Sequence, residues 1–337
     1  MTTWNWTVLR AGRLLLDGGS MFGVIPRVVW TRTATPDDKN RITVSHNCVL
    51  LESAEPDKAL GRPRRVLIEA GTGDKLNEKM SKVFGLDGRT VETALIEHGT
   101  DPAEIDHAVV THLHFDHAGG LTRRCRTGET PDWTAGPGQA SGDCPDVKLT
   151  LPNAEVIVQR REWDDAMANT SVMSKTYYRD HLDPLMNPLP GEHPGAHPNG
   201  RQRLRLLDSP PPFAGREIPT RTRTPSSSLE ERTTEALPGL RVFNVPGHTW
   251  GQQAISWDDS EGRTVVYVPD VLPTAWHVGQ AYSLAYDVEP YTSMLSKHWL
   301  LAEAAERGWT LVLDHEPGHP VFKVLPDGRG WWTLEQA

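Results

Sequence analysis

Four side chains that can bind a metal occur within six residues of this sequence of 337 amino acids. The segment at residues 111–120 reads THLHFDHAGG, and it follows an apolar run at residues 108–110. The chain has 14 histidines in all, so three in this window are improbable by composition alone. Imidazoles and a carboxylate at this spacing can point from a strand-to-helix turn toward two neighbouring ions, whereas the alternative is a set of ordinary polar groups. We therefore predict a dinuclear metal site built on His112, His114, Asp116 and His117.

More ligands are expected at the ends of later strands, because one turn supplies too few donors for two ions. His248 lies in a glycine turn after an apolar run, Asp270 follows the next such run, and His315 follows the last one. Each of these alone is an ordinary loop residue. Together, and in this order, they extend the predicted site to other strand ends on the same rim.

The metal-binding residues lie in a chain that alternates strand-like and helical patterns. We predict strands at residues 5–10, 13–16, 42–51, 66–69, 108–110, 155–158, 240–245, 264–268 and 310–313, the first two joined by a turn at Ala11 and Gly12. We predict helices at residues 91–98, 160–168 and 291–307. This alternation is typical of an α/β fold, and we treat residues 1–337 as a single domain.

Residues 188–238 differ in kind from the rest of the chain. They are rich in Pro, Ser, Thr and Arg and contain few large apolar residues. We predict a long surface insertion with at most one strand, at residues 203–207. Its arginines could form an anion-binding face, but interspersed acidic residues favour a solvated loop.

Composition excludes several classes of protein. A net charge of -9 disfavours nucleic acid as a partner. No apolar run approaches the roughly 20 residues that span a bilayer, and the first residues do not resemble a secretory signal, so we predict a cytoplasmic protein. Three cysteines are too few for a disulfide framework, and we predict that Cys125 and Cys144 are free thiols rather than a metal-binding pair.

These motifs resemble those of the metallo-β-lactamase-fold hydrolases, and the resemblance runs from residues 17–23 through Gly71-Thr72-Gly73-Asp74-Lys75 to His315. It implies a four-layer αββα sandwich with the site on the rim between the sheets. It also implies two divalent ions, most simply Zn, with Mn, Fe or Co as alternatives. The ligands implied for one ion are His112, His114 and His248, and those for the other are Asp116, His117 and His315, with Asp270 as the bridge.

The acyl-homoserine lactonase-like branch of this superfamily is the most similar. We therefore predict that a hydroxide shared by the ions opens a lactone or cleaves a carboxylic ester, while Asp116 passes a proton to the leaving oxygen. Met21, Phe22 and His277 are candidate substrate contacts, with core packing as the alternative. Together with Val24, Ile25 and Trp30, the first two form a candidate acyl pocket. The expected partner is a small ester or lactone, and we carry a homodimer as an expectation.

Some residues depart from the lactonase pattern. Glu69 and Glu316 stand where aspartate is common, and we expect neither to bind a metal directly. Pro273 replaces a tyrosine that faces the substrate in lactonases. A phosphotriester or β-lactam hydrolase therefore remains an alternative function for the same site.

Three further functional classes are compared with the predicted ester or lactone hydrolase. Diiron oxidoreductases of this fold typically have Glu where His114 stands, and a silent binding module would lack ligands. The segment from His315 to His319 matches the H-E-x-x-H pattern of zinc proteases, but that pattern requires a helix. Pro317 and Gly318 disfavour a helix there.

Overall fold

The structure is a computed structural model, and it describes residues 2–168, 174–190, 202–213, 225 and 227–337. The chain forms two units, each with its own buried apolar core. Unit 1 comprises Met1–Trp4, Leu15–Ser45 and Asp208–Ala337, and unit 2 comprises Asn5–Leu14 and His46–Leu207. Within the described ranges, no helix is both long enough and apolar enough to cross a membrane.

The strands of the described residues are, in chain order, β1 (Trp4–Asp17), β2 (Arg41–Ser53), β3 (Arg65–Ile68), β4 (His107–Val109), β5 (Thr122–Arg124), β6 (Trp133–Thr134), β7 (Asp146–Leu149), β8 (Glu155–Gln159), β9 (Leu204–Leu207), β10 (Thr234–Leu237), β11 (Leu240–Asn244), β12 (Gln253–Asp258), β13 (Thr264–Val268), β14 (Thr310–Leu313), β15 (Val321–Pro326) and β16 (Trp332–Gln336). The α-helices are α1 (Gly18–Phe22), α2 (Arg27–Trp30), α3 (Glu78–Val83), α4 (Val91–His98), α5 (Phe115–Ala118), α6 (Arg160–Ala168), α7 (Arg179–Leu182), α8 (Leu229–Arg232) and α9 (Pro290–Arg307). Short 3-10 turns join several of them.

Unit 2 is organised around a six-stranded sheet in the order β1-β2-β3-β4-β8-β9, as far as the described residues show. Strands β1 and β2 also contribute residues to unit 1. The pairs from β3 to β9 are parallel, and the intervening helices α4 and α6 follow the usual strand-helix-strand connection. Apolar residues such as Leu67, Leu95 and Val156 fill the core of this unit. The parallel arrangement places the carboxyl end of β4, where the histidine motif begins, at one edge of the sheet.

Unit 1 contains a seven-stranded sheet, among the described residues, in the sequential order β10 to β16. Strand β13 pairs parallel with β14, and α9 is the connection between them. Strands β11, β12 and β13 pair antiparallel in turn, so β11 and β13 run in the same direction. The carboxyl ends of β11, β13 and β14 therefore lie at the same edge of this sheet. His248, Asp270 and His315 each follow one of those ends.

Most of the predicted elements are confirmed, but the two short N-terminal strands are not. Residues 4–17 form one continuous strand that passes through Gly12 without a turn. Gly12 adopts φ 126°, and a Cβ there would lie 2.8 Å from the carbonyl oxygen of Arg89. Glycine at this position thus permits a close approach of two backbones inside a strand.

The prediction of at most one strand in residues 188–238 is also wrong. The predicted strand is present as β9, but α8 and β10 follow it. Ser228 and Glu231 form a capping box at the start of α8, and β10 pairs with β11 across a turn at Gly239, which has φ 74°. The capping pattern and the Pro-Gly turn are local signals that outweigh the polar composition. The parts of the predicted insertion at residues 191–201, 214–224 and 226 lie outside the described residues.

Candidate metal centre

The histidine motif of unit 2 begins just after β4 and continues into the four-residue helix α5. His112, His114 and His117 are buried, and Asp116 is 8% exposed. The ring centroid of His112 lies 4.6 Å from that of His114 and 3.9 Å from that of His117. Asp116 Oδ1 lies 3.9 Å from Nε2 of His117. Unit 2 thus brings the four residues of the motif together.

Glu69 fixes the orientation of this motif. The Thr111 amide donates to Glu69 Oε1, and His117 Nδ1 lies 3.0 Å from Glu69 Oε2. Because a carboxylate only accepts, His117 donates through Nδ1, and Nε2 is the nitrogen left to bind a metal. Glu69 adopts φ 66°, an uncommon conformation for a residue other than glycine. The expectation that Glu69 is not a direct ligand agrees with these contacts, but its orienting role was not predicted.

A second buried glutamate, Glu162 of α6, supports the same motif from another side. Its Oε1 accepts the Leu113 amide at 2.9 Å and the Tyr177 hydroxyl at 3.2 Å. The ring of Tyr177 packs 5.2 Å from that of His114. The backbone of the histidine motif is therefore held by two carboxylates, Glu69 at the end of β3 and Glu162 on α6.

The glycines that follow the motif allow close backbone packing. A Cβ at Gly120 would lie 2.0 Å from the carbonyl oxygen of Ala70. Lys75, which is buried, donates from its ammonium to the carbonyl oxygens of Gly119 and Thr122. Burial lowers the pKa of Lys75 to about 8, although nearby aspartates act in the opposite direction. These contacts fix the segment that comes directly after the predicted metal ligands.

Three predicted ligands of unit 1 meet at Asp270. Its Oδ2 lies 3.0 Å from Nε2 of His248, and its Oδ1 lies 3.4 Å from Nε2 of His315. Each carboxylate oxygen therefore faces a different imidazole. Asp314 was not predicted as a ligand, yet the ligand atoms of Asp270, Asp314 and His315 all lie within 4.8 Å of one another.

Hydrogen-bond partners outside the predicted ligand set also orient the histidines of unit 1. His248 Nδ1 lies 2.9 Å from Asp287 Oδ1, and His315 Nδ1 donates to the Ser45 carbonyl oxygen at 2.9 Å. Burial alone would lower the pKa of His248, but Asp270 and Asp287 raise it to about 10. Two carboxylates around one imidazole thus favour a positive charge at this place. Sequence reasoning missed Asp287, which is 39 residues from its partner.

The candidate substrate contacts Met21, Phe22 and His277 are buried in unit 1. His277 Nδ1 lies 2.8 Å from Thr274 Oγ1, and its Nε2 donates to the Met21 carbonyl oxygen at 2.8 Å. Phe22 stacks on His277 and also on Trp30. Of the other residues grouped with them, Val24 is 77% exposed and Ile25 is intermediate. These contacts favour the packing alternative, and substrate contact by the three residues stays a prediction.

The segment at residues 315–319 and two of the three cysteines were the other candidate metal-binding features of the sequence. Residues 315–319 are not helical, which agrees with the argument against a zinc protease. Glu316 accepts the amides of Ala275 and Gly318. All three cysteines are free thiols.

The donor chemistry fits divalent transition metals. The side chains are imidazoles and carboxylates, which suit Zn and its neighbours. Nδ1 of His117, His248 and His315 is bonded to an acceptor that leaves Nε2 as the coordinating nitrogen. This pairing of a ligand histidine with an outer acceptor is the usual construction of a protein metal site. Each unit therefore carries a set of oriented donors.

Comparison with known proteins finds a family-model match over part of the chain and similar folds among solved structures. The family model for the metallo-beta-lactamase superfamily matches residues 42–137, which include the histidine motif. A probable metal-dependent hydrolase from Staphylococcus aureus is 23% identical, with a TM-score of 0.69 over 99% of this chain and 98% of that one. No curated protein matches the sequence.

Two other solved structures are similar over almost the whole chain. The hydrolase AbOPH of the β-lactamase superfamily is 16% identical, with a TM-score of 0.66 over 99% of this chain and 94% of that one. AidC, a dizinc quorum-quenching lactonase in complex with the product N-hexanoyl-L-homoserine, is 14% identical, with a TM-score of 0.62 over 100% and 98%. Identities this low show a shared fold alone. The predicted metallo-β-lactamase fold is confirmed.

Proposed function

We propose that the chain is a member of the metallo-β-lactamase superfamily, whose family model matches residues 42–137, and that it is a dinuclear metal-dependent hydrolase that opens lactones or cleaves carboxylic esters. In this proposal His112, His114 and His248 would hold one ion, Asp116, His117 and His315 would hold the other, and Asp270 would contribute to both. Zn is the proposed metal, with Mn, Fe or Co able to use the same donors.

The observation that carries the proposal is the placement of Asp270 between two imidazoles. Each of its oxygens faces the Nε2 atom of a different histidine, at 3.0 Å and 3.4 Å. A structural ion pair needs only one such contact, whereas a carboxylate shared by two ions needs one ligand on each side. The outer acceptors Asp287 and the Ser45 carbonyl hold both imidazoles in that orientation.

When bound, two divalent ions would polarise the scissile carbonyl group and lower the pKa of water to near neutrality. The protein's own part is to hold the donors and to move a proton. We assign proton transfer to the leaving oxygen to Asp116, a carboxylate within the motif. Glu69 keeps the neighbouring His117 in place through Nδ1, so that the motif does not reorganise as charge develops.

An ester or lactone is the proposed substrate class. A metal-activated attack suits acyl and phosphoryl centres alike, so the choice rests on similarity to lactonases such as AidC. Pro273 stands in place of the lactonase tyrosine. The finer assignment to N-acyl homoserine lactones therefore lacks this residue's support and depends on a direct substrate assay. Cytoplasmic location and a homodimer remain predictions that accompany this proposal.

A substrate panel tests the proposal directly. Protein loaded with Zn, Mn or Co would be assayed against acyl-homoserine lactones, simple lactones, aryl esters, phosphotriesters and a chromogenic β-lactam. We expect two metal equivalents per chain and the highest kcat/KM on a lactone or ester. Preference for a phosphotriester or β-lactam would replace the substrate class, and a chain that binds fewer than two ions would refute the dinuclear centre.

A further inference from the structure

Lys297, in the middle of α9, is a buried cation that no predicted site includes. Its side chain is 1% exposed. The ammonium donates to the carbonyl oxygens of His277 at 2.9 Å, Gly279 at 2.7 Å and Tyr282 at 2.5 Å. An ammonium group has three donors and no acceptor, so these bonds use all of them. Lys297 thereby binds residues 277–282 at three points.

The segment that Lys297 binds continues directly to the partner of a proposed metal ligand. Asp287 accepts the Leu284 amide through Oδ2 at 3.0 Å and faces His248 Nδ1 through Oδ1 at 2.9 Å. The Val288 amide also donates to the carbonyl oxygen of His248, at 3.1 Å. The same segment therefore holds His248 by its side chain and by its backbone.

A packing role does not account for a lysine at this place. Burial disfavours the ammonium form and lowers the pKa of Lys297 to about 7, while the charge of Asp287 acts in the opposite direction. A methionine would fill a similar volume without the cost of burying a charge. What lysine adds is a set of directed donors aimed at three backbone carbonyls.

We propose that Lys297 is a positioning residue that fixes residues 277–282 so that Asp287 holds His248 with Nε2 directed at Asp270. The inference rests on the proposed function, in which His248 binds a metal. Lys297 acts through the segment and through Asp287, and it does not itself contact substrate or metal in this scheme.

The test compares Lys297→Met with a matched control, Lys323→Met. Lys323 is a partly exposed lysine of unit 1 whose ammonium donates to the carbonyl oxygen of Gly308, at the end of the same helix α9. Both variants lose lysine-to-carbonyl hydrogen bonds, three at Lys297 and one at Lys323, but only Lys297 lies in the proposed series of contacts to His248. Cobalt(II) titration would give metal affinity, hydrogen exchange would report on residues 277–289, and the His248 ring N–H signal would be recorded by NMR without metal.

We expect Lys297→Met to exchange faster over residues 277–289, to lose the hydrogen-bonded Nδ1–H signal of His248, and to bind cobalt(II) about 10- to 100-fold more weakly. Lys323→Met should match the wild type in all three. Unchanged cobalt(II) affinity and an unchanged His248 signal in Lys297→Met would overturn the proposal, even with faster exchange. If Lys297→Met does not fold, Lys297→Gln is measured by the same criteria, and wild-type values there would overturn it equally.

The two proposals fail in different ways. A wild-type chain that binds no cobalt(II) would refute the proposed function. The metal-free His248 signal would still decide the role of Lys297, because it depends only on the Asp287 hydrogen bond.

Discussion

The two units supply the proposed metal donors in different ways. Unit 2 contributes four donors from one segment of six residues after β4, whereas unit 1 contributes His248, Asp270 and His315 from the ends of three strands. The contiguous set is held by carboxylates from neighbouring elements, Glu69 and Glu162. The dispersed set is held by Asp287 and the Ser45 carbonyl. A contiguous set needs one turn to be correct, while a dispersed set needs the register of a whole sheet to be correct.

The largest expected effect is at Asp270, where the dispersed set converges. Asp270→Asn keeps the size of the side chain but removes the charge that offsets two dications. We expect metal content to fall below two ions per chain and turnover to fall by more than about 100-fold. This loss exceeds the one typical of residues that only hydrogen-bond to a metal ligand. Elemental analysis and hydrolysis assays would measure both quantities. Full activity with two ions retained would refute the bridging role and the functional class that depends on it.

The contiguous donors of unit 2 could be predicted from the sequence more directly than the dispersed donors of unit 1. The motif of unit 2 was recognisable because its spacing is local, and α4 was predicted to the residue from Thr90 and Gly99. His248, Asp270 and His315 became a set only through their order along the chain and the family resemblance.

The supporting contacts could not be predicted, because they depend on tertiary structure. Asp287 meets His248 only after residues 277–289 fold back, and the role of Glu69 depends on a backbone conformation with φ 66°. Asp314 entered a possible metal cluster only through the pairing of β13 and β14. Gly12 was mistaken for a turn because its close approach to Arg89 is invisible in sequence.

The outer carboxylates sharpen the comparison, since each unit has one beside a histidine. Glu69→Gln in unit 2 and Asp287→Asn in unit 1 both keep a side-chain oxygen near Nδ1 but remove its charge. We expect each to weaken metal binding by about 10- to 100-fold. Glu69→Gln should also loosen the motif backbone, because Glu69 accepts the Thr111 amide as well.

Metal titration of each variant, combined with hydrogen exchange over residues 111–118, would separate these effects. Increased exchange there in Glu69→Gln and none in Asp287→Asn is the expected pattern. Equal exchange in both would contradict the view that Glu69 supports a whole segment while Asp287 orients a single ring.

A smaller effect is expected at His277, which lies in unit 1 but outside its donor set. His277→Ala removes hydrogen bonds to Thr274 and to the Met21 carbonyl and the stacking with Phe22. We expect a loss of about 1 to 3 kcal/mol in the free energy of unfolding with two metals retained. Denaturant unfolding and metal analysis would test this. A large rise in KM without loss of stability would instead favour the substrate contact considered from the sequence.

Near neutral pH, the smallest expected effect is the pH dependence of stability contributed by two buried lysines, Lys75 in unit 2 and Lys297 in unit 1. Burial lowers the pKa from 10.5 to about 8 for Lys75 and to about 7 for Lys297. Below pH 7 both lysines are protonated in the native and unfolded states, so they add no pH dependence there. Between the lowered native pKa and 10.5 the unfolded state binds more protons, so stability rises with pH.

The rise should begin near pH 7 for Lys297 and near pH 8 for Lys75. The slope is at most about 1.4 kcal/mol per pH unit for each lysine, because the native and unfolded states can differ by no more than one bound proton at each. Denaturant unfolding from pH 6 to 10 would compare wild type with Lys75→Met, Lys297→Met and the partly exposed control Lys323→Met. We expect each buried-site variant to lose its own part of the slope and the control to keep both. A wild-type slope in Lys297→Met between pH 7 and 8 would show that its ammonium keeps its proton, and that the carbonyl contacts in unit 1 outweigh burial.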